Sequence, residues 1–188
     1  MTWRCTEVPT LDVWSNAASS QLRDLVSSAL ACVLMRTDWP SDQARAVYVC
    51  SPWISDFPVF DNRYGQFDAL VTQSRGSSRL RLGDVLIALA SVTTVRIVSK
   101  QTEATRQFLA GRDFAGSNVH VRIAGDELHE KGLLTPDFYL EGSMNLTYSG
   151  VHLNQEKVSY HAGSDRSVIE RIAAAYAELD RRWRQLTP

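Results

Sequence analysis

The chain is poor in the features that mark secreted, membrane-spanning or metal-bound proteins. It has three cysteines in 188 residues, Cys5, Cys32 and Cys50. An odd number in apolar or strand-like contexts makes no disulfide framework and reads as reduced, buried thiols in a cytoplasm. No apolar run reaches the roughly 18–20 residues of a membrane span; the longest, around Ala29 to Met35, belongs to an amphipathic helix. Arg4, Glu7 and Asp12 interrupt any apolar start, so no secretory signal is read. Charge of one sign is missing as well. Twenty basic residues against 21 acidic ones leave a net charge of −1, so the whole chain is no electrostatic attractor for nucleic acid. Common catalytic signatures fail in turn. A His-Glu-x-x-His zinc site would need histidine where Leu133 stands, and there is no Gly-x-x-x-x-Gly-Lys loop, Cys-x-x-Cys pair or Gly-x-Ser-x-Gly. Nothing in the pattern requires or indicates a metal or other cofactor. With no internal repeat or low-complexity tail, residues 1–188 are expected to form one domain with a proper core.

What is present is an alternation of helical and strand patterns. Residues 1–14, with Trp3, Val8, Leu11, Val13 and Trp14 around Pro9, read as a loop or short edge strand packed by its tryptophans. Ala17 to Arg36 places Leu22, Leu25, Val26, Ala29, Leu30, Val33 and Leu34 on one helical face. Ala46 to Cys50 reads as a buried strand, and Ser51 and Trp53 follow at its carboxyl end, where open α/β sheets collect ligands. Both are candidates to contact substrate; the plainer alternative makes Trp53 core. Phe57 to Arg81 is polar and holds Arg63, Arg75, Arg79 and Arg81. It reads either as a mobile loop whose Arg79 and Arg81 meet phosphates or as ordinary surface charge. A helix over 82–90, a strand over 94–98, a helix over 103–114 capped by Thr102 and a half-buried strand around Val119, Val121 and Ile123 follow. Lys157 to His161 reads as a last strand, and Ser167 to Glu170 has capping-box spacing. The final helix carries Val168, Ile172, Ala175, Leu179, Trp183 and Leu186 on one stripe, for burial against the sheet or a second subunit. The order predicts an α/β fold: a mixed, largely parallel sheet with helices on both faces.

The chemistry gathers between Leu128 and Tyr160. His129 and Lys131 stand two apart in a segment that reads as a strand, which would put imidazole and ammonium on one face. A Thr-Pro-Asp turn and a strand over 138–141 lead to Gly142, Ser143, Met144 and Asn145, with Glu156 beyond. These supply a nucleophile (His129), a fixed positive charge (Lys131), neutral donors (Ser143, Asn145) and an acid able to orient an imidazole (Glu156). Residues 143–145 also look like the start of a short helix over 146–149 that stops at Gly150, offering free N–H groups to an anion.

That set of residues resembles the HKD signature of the phospholipase D superfamily: H-x-K, four residues, D, six residues, G-S, then a nearby N. His129, Lys131, Gly142, Ser143 and Asn145 match in type and order, and Glu156 matches the acid that follows in small single-motif members. The motif's aspartate falls on Pro136, with Asp137 one residue late and the Gly-Ser pair one residue early. The early strand Val47 to Ile54 and the overall length fit more loosely. The resemblance implies a phospholipase D-like fold and a phosphodiesterase that works without a metal. His129 would attack phosphorus to form a phosphohistidine, and Lys131, Asn145 and Ser143 would stabilise the non-bridging oxygens. Glu156 would hold the imidazole, and Gly142 and its neighbours would line the substrate. His120, His152 and His161 lack a following lysine, so a single-motif chain implies a homodimer that completes the site. The motif wording is also similar to phospholipase D-like proteins of bacterial 7-deazapurine DNA-modification clusters, which implies DNA restriction or defence, with other proteins of such a system as partners. A nuclease acting on DNA is the expected function. A phospholipase or phosphatidyl transferase, and a non-catalytic nucleic-acid-binding subunit, are the alternatives.

Overall fold

Val47–Cys50 is apolar at every position because both of its faces are covered. Val47 and Val49 belong to one core, Tyr48 and Cys50 to another. A strand buried on both sides shows no alternation. The computed structural model describes residues 10–39 and 45–187. The strands are β1 (Thr10–Ser15), β2 (Val47–Cys50), β3 (Pro58–Asp61), β4 (Arg79–Arg81), β5 (Val95–Lys100), β6 (Val119–Ala124), β7 (Gly132–Leu134), β8 (Phe138–Gly142) and β9 (Glu156–Ala162). The helices are α1 (Gln21–Leu34), α2 (Leu82–Ala90), α3 (Glu103–Ala110), α4 (Tyr148–His152) and α5 (Arg166–Gln185).

Seven strands form one sheet in the order β1-β9-β8-β7-β2-β5-β6. The mixed α/β sheet is as the sequence predicts, but its parallel share is smaller. Only β2, β5 and β6 run parallel; the pairings β2–β7, β7–β8, β8–β9 and β9–β1 are antiparallel. The physical reason is connection length. The turn between β7 and β8 is a tight one, and tight turns join antiparallel strands, whereas parallel strands need crossovers such as α3. On one face Leu22, Val85, Phe108 and Val151, from α1 to α4, pack on Val49, Ile97, Leu133 and Leu140. On the other, α5 lays Val168, Ile172, Ala175, Leu179 and Trp183 over Tyr48, Leu134 and Tyr139. The apolar stripe of the last helix therefore meets the sheet.

Several local expectations change. β1 is an edge strand as read, but Trp14 is 69% exposed and not packed; Trp3, Val8 and Cys5 lie outside the described residues. Cys32 is exposed, because it falls on the outer side of α1 between the buried Leu30 and Val33. The polar stretch over 57–81 is not a loose loop. β3 and β4 pair, and the buried Asn62 closes the loop by donating to Asp68 (2.8 Å) and the Ser77 carbonyl (2.9 Å). Ile123 is exposed because β6 is an edge strand, and Arg122 instead lies 4.4 Å from the Trp183 ring. The capping box at Ser167 does not form. α5 starts at Arg166, Asp165 holds the N-cap position, and Glu170 pairs with Arg166 at 2.7 Å.

Candidate active site

The antiparallel half of the sheet brings strand ends from distant parts of the chain to one edge. The end of β2 lies beside the start of β7 (Cys50 opposite Gly132), and the end of β8 beside that same start (Glu141 opposite Gly132). The start of β9 pairs with the end of β8 (Val158 opposite Gly142) and with the end of β1 (Glu156 opposite Ser15). One edge therefore carries Glu156, Ser143, Lys131 with His129, and the loop from Ser51 to Trp53. β7 begins only at Gly132, so His129 and Lys131 precede the strand expected to hold them. One bond extends the ladder to them, from the Gly142 N–H to the Lys131 carbonyl at 3.3 Å. His129 is exposed. The Lys131 Nζ donates to the His129 carbonyl at 2.6 Å, so the ammonium folds back along its own segment.

The Gly142-Ser143 turn is locked to β9. The Ser143 N–H donates to the Lys157 carbonyl and the Lys157 N–H donates to the Ser143 Oγ, both at 3.0 Å. Gly142 has φ +153°, and a Cβ there would stand 2.2 Å from the Lys157 carbonyl oxygen. Only glycine allows that approach. The Ser143 hydroxyl donates to Glu156, whose other carboxylate oxygen accepts from the Asn154 amide at 3.3 Å. Within one chain, then, the buried Glu156 holds the serine turn; no hydrogen bond joins it to the imidazole. The expected helix start at Ser143 is absent. α4 begins five residues later, capped by the Thr147 hydroxyl, which accepts from the Gly150 N–H at 3.1 Å. Gly150 lies inside this helix instead of ending it, because Asn145 runs beside it: a Cβ at Gly150 would stand 2.2 Å from the Asn145 carbonyl oxygen. The Asn145 Oδ1 is buried and has no hydrogen-bond partner. A buried acceptor left so costs about 1–3 kcal/mol.

The loop after β2 docks on this turn. The Ser51 hydroxyl donates to the Trp53 carbonyl (2.6 Å) and accepts from the Leu146 N–H (3.0 Å), and the Ser55 N–H donates to the Leu146 carbonyl (2.9 Å). Ser51 thus ties two loops together, while Trp53 is 43% exposed. Lys100, at the end of β5, has its Nζ 5.8 Å from the Trp53 ring and donates to the Asp126 carbonyl, three residues before His129, at 2.5 Å. Glu130 pairs with Arg182 of α5 at 3.1 Å. Beneath it lies the Cys50 thiol, which burial, and then the Glu130 charge, push up to about 12.

The two arginines expected to meet substrate are not drawn into this group. Arg81 is tied to Asp56 (3.0 Å), and Arg79 lines a different cavity of about 640 Å³ with Tyr148 and His152. Asp137 sits at the turn end of the β7–β8 hairpin, away from His129, and pairs with Arg36. The other histidines are placed elsewhere. His161 is near the far end of β9 with its Nε2 3.0 Å from Glu141, and His120 is near the start of β6 beside Asn118. His152 stacks on Tyr148 at 4.5 Å, and burial lowers its pKa. Lys157 and Gly150 hold the site together, yet the sequence reading gave them no such role. Their signal is tertiary, since each acts on a residue brought to it by the fold. Among the described residues, no group of three or more His, Cys, Asp or Glu side chains could hold a metal ion.

No protein-family model and no curated protein matches the sequence. Solved structures match the fold. A phospholipase D family member, Nuc from Salmonella typhimurium, superposes with a TM-score of 0.56 over 95% of each chain at 16% identity. NucT from Helicobacter pylori gives 0.51 over 90% of this chain and 94% of its own, at 14% identity. The archaeal chromatin protein TrmBL2, described as showing a novel mode of DNA binding, gives 0.54 over 95% of this chain and 52% of its own, at 12% identity. The chain has the phospholipase D fold.

Proposed function

We propose that this protein is a metal-independent phosphodiesterase, a nuclease that cleaves DNA through a phosphohistidine in a homodimeric site. The observation that carries the reading is the register of the hairpin. Lys131 and Gly142 share a ladder bond, which sets the His129 segment beside the turn holding Ser143 and Asn145. An imidazole nitrogen of His129 attacks phosphorus as the bond to the leaving oxygen breaks, so that one hard displacement becomes two easier ones. A second imidazole protonates the leaving oxygen; it then takes a proton from the water that displaces His129 and releases the phosphate monoester. Such help is worth about 10²–10⁴ in rate. The Asn145 amide and the Lys131 ammonium stabilise the non-bridging oxygens of the pentavalent state. Glu156 positions Ser143 within its own chain.

With His120, His152 and His161 placed elsewhere, the second imidazole is His129 of another copy. A two-fold interface sets the same patch against itself, so two His129–Lys131 pairs face one cleft. Cutting of foreign DNA is the setting that fits such an enzyme. The test is cleavage of single- and double-stranded DNA in excess EDTA, wild type beside His129→Ala. Turnover should fall on the order of 10⁴-fold or more in the variant while oligonucleotide binding persists. Cleavage that needs a divalent ion, or that survives the substitution, would sink the proposal.

A further inference from the structure

The same sheet edge carries a second aromatic group on the far side of the candidate site. Trp14 stands opposite Lys157 across the β1–β9 pair, with the lysine Nζ 5.3 Å from the ring centre. The ring is 69% exposed on an edge strand whose neighbours Val13 and Ser15 are buried. Trp14 and Lys157 share a cavity of about 420 Å³ with Ser143 and Glu156, so the indole opens onto the turn that holds the site. Lys157 also pairs with Asp12 at 3.7 Å, an exposed contact of little energy that leaves the ammonium available. Trp53 and Lys100 repeat the arrangement on the other side of His129. β1 lies three strands from β7 and β2 lies one, so at about 4.8 Å per strand the two backbones flank it at roughly 14 Å and 5 Å.

An exposed indole beside an ammonium suits a ligand with a flat π-face and a nearby anion. A nucleotide of a single strand has both. In a duplex the base faces are already stacked, and freeing one costs a few kcal/mol. We propose that Trp14 and Lys157 form a base-stacking and phosphate-binding subsite that directs the enzyme to single-stranded nucleic acid, with Trp53 and Lys100 as its counterpart across the site. The proposal rests on the nuclease reading above and adds its substrate class. Lys157 serves twice: its backbone holds Ser143, and its side chain meets the strand.

The test uses labelled single- and double-stranded oligonucleotides with His129→Ala protein in EDTA, read by fluorescence anisotropy, beside cleavage kinetics of the catalytically intact chain. Trp14→Ala should weaken single-strand binding by about fivefold or more and raise KM more than it lowers kcat, and Trp14→Phe should restore most of the loss. Circular dichroism melting checks that each variant folds. Unchanged single-strand affinity in a folded Trp14→Ala protein overturns the subsite and leaves the nuclease reading standing. Loss of binding together with a shift from dimer to monomer on size exclusion also overturns it, by assigning Trp14 to contact between copies. Trp14-dependent binding without cleavage by any form keeps the subsite and ends the nuclease reading.

Discussion

The Asn145 Oδ1, like the Trp39 Nε1, is a buried side-chain polar atom with no hydrogen-bond partner. Protein interiors rarely leave a buried acceptor unpaired, and this one lies next to the serine turn. The proposed mechanism takes its donor from the other end of this amide, the NH2 group, so Asn145→Ala should lower kcat by about 10²–10³, the loss typical of one donor to a developing oxyanion. Thermal stability should not fall in step, because removing the orphan relieves its desolvation cost. Paired kinetic and melting measurements check this; normal turnover in the variant would remove Asn145 from the mechanism. Residue types of this kind were legible in the sequence, since His129, Lys131, Ser143 and Asn145 stand at a recognisable spacing. Their partners were not. Nothing linear says that Glu156 bonds Ser143, or that Arg81 is held by Asp56, because each bond joins segments that the fold alone brings together.

α4 is only five residues long, and its Gly150 lies in close contact with the Asn145 backbone. An exchange of glycine for alanine inside a helix ordinarily stabilises by about 0.8–1 kcal/mol. Gly150→Ala should do the reverse, costing about 1–3 kcal/mol as the new methyl forces the Asn145 backbone aside. At about 2–4 °C per kcal/mol, the melting temperature should drop by several degrees, with activity falling beyond the fraction unfolded. A higher melting temperature with full activity would show that the approach is not constraining. The strong elements were readable: α1, α2, β5 and β9 lie within a few residues of where periodicity puts them. The failures came where periodicity has nothing to report. The stretch over 57–81 pairs through Asn62, and the Ser143 turn imitates a helix start because serine satisfies backbone groups in either setting.

For the whole molecule, a shared cleft has a sharp consequence in mixtures. If catalysis needs two His129 side chains from two copies, wild-type protein equilibrated with a ninefold excess of His129→Ala should lose about nine-tenths of its activity per wild-type chain, since most pairs are then mixed. Unchanged activity per wild-type chain would mean that each chain works alone. Alkaline stability is a second global property. Burial raises the pKa of Cys50 to about 12 from 9.0, and raises those of Tyr48, Tyr139 and Tyr176 as well. These groups stay protonated in the folded chain when the unfolded chain would release their protons. Their stabilisation is therefore whole below about pH 9 and declines as pH climbs toward 12. Melting temperatures from pH 7 to 11 should fall above 9, less steeply for Cys50→Ser; an equal slope would exonerate the thiol. Strand pairing carries one more consequence, for synthesis. β1, the first described strand to leave the ribosome, pairs among the described strands only with β9, about 140 residues later, and the face that α5 covers waits longer still. At about 5–20 residues per second, the nascent chain carries an open sheet edge and a bare apolar face for roughly 7–30 seconds. The edge and the apolar face close only when translation has passed α5.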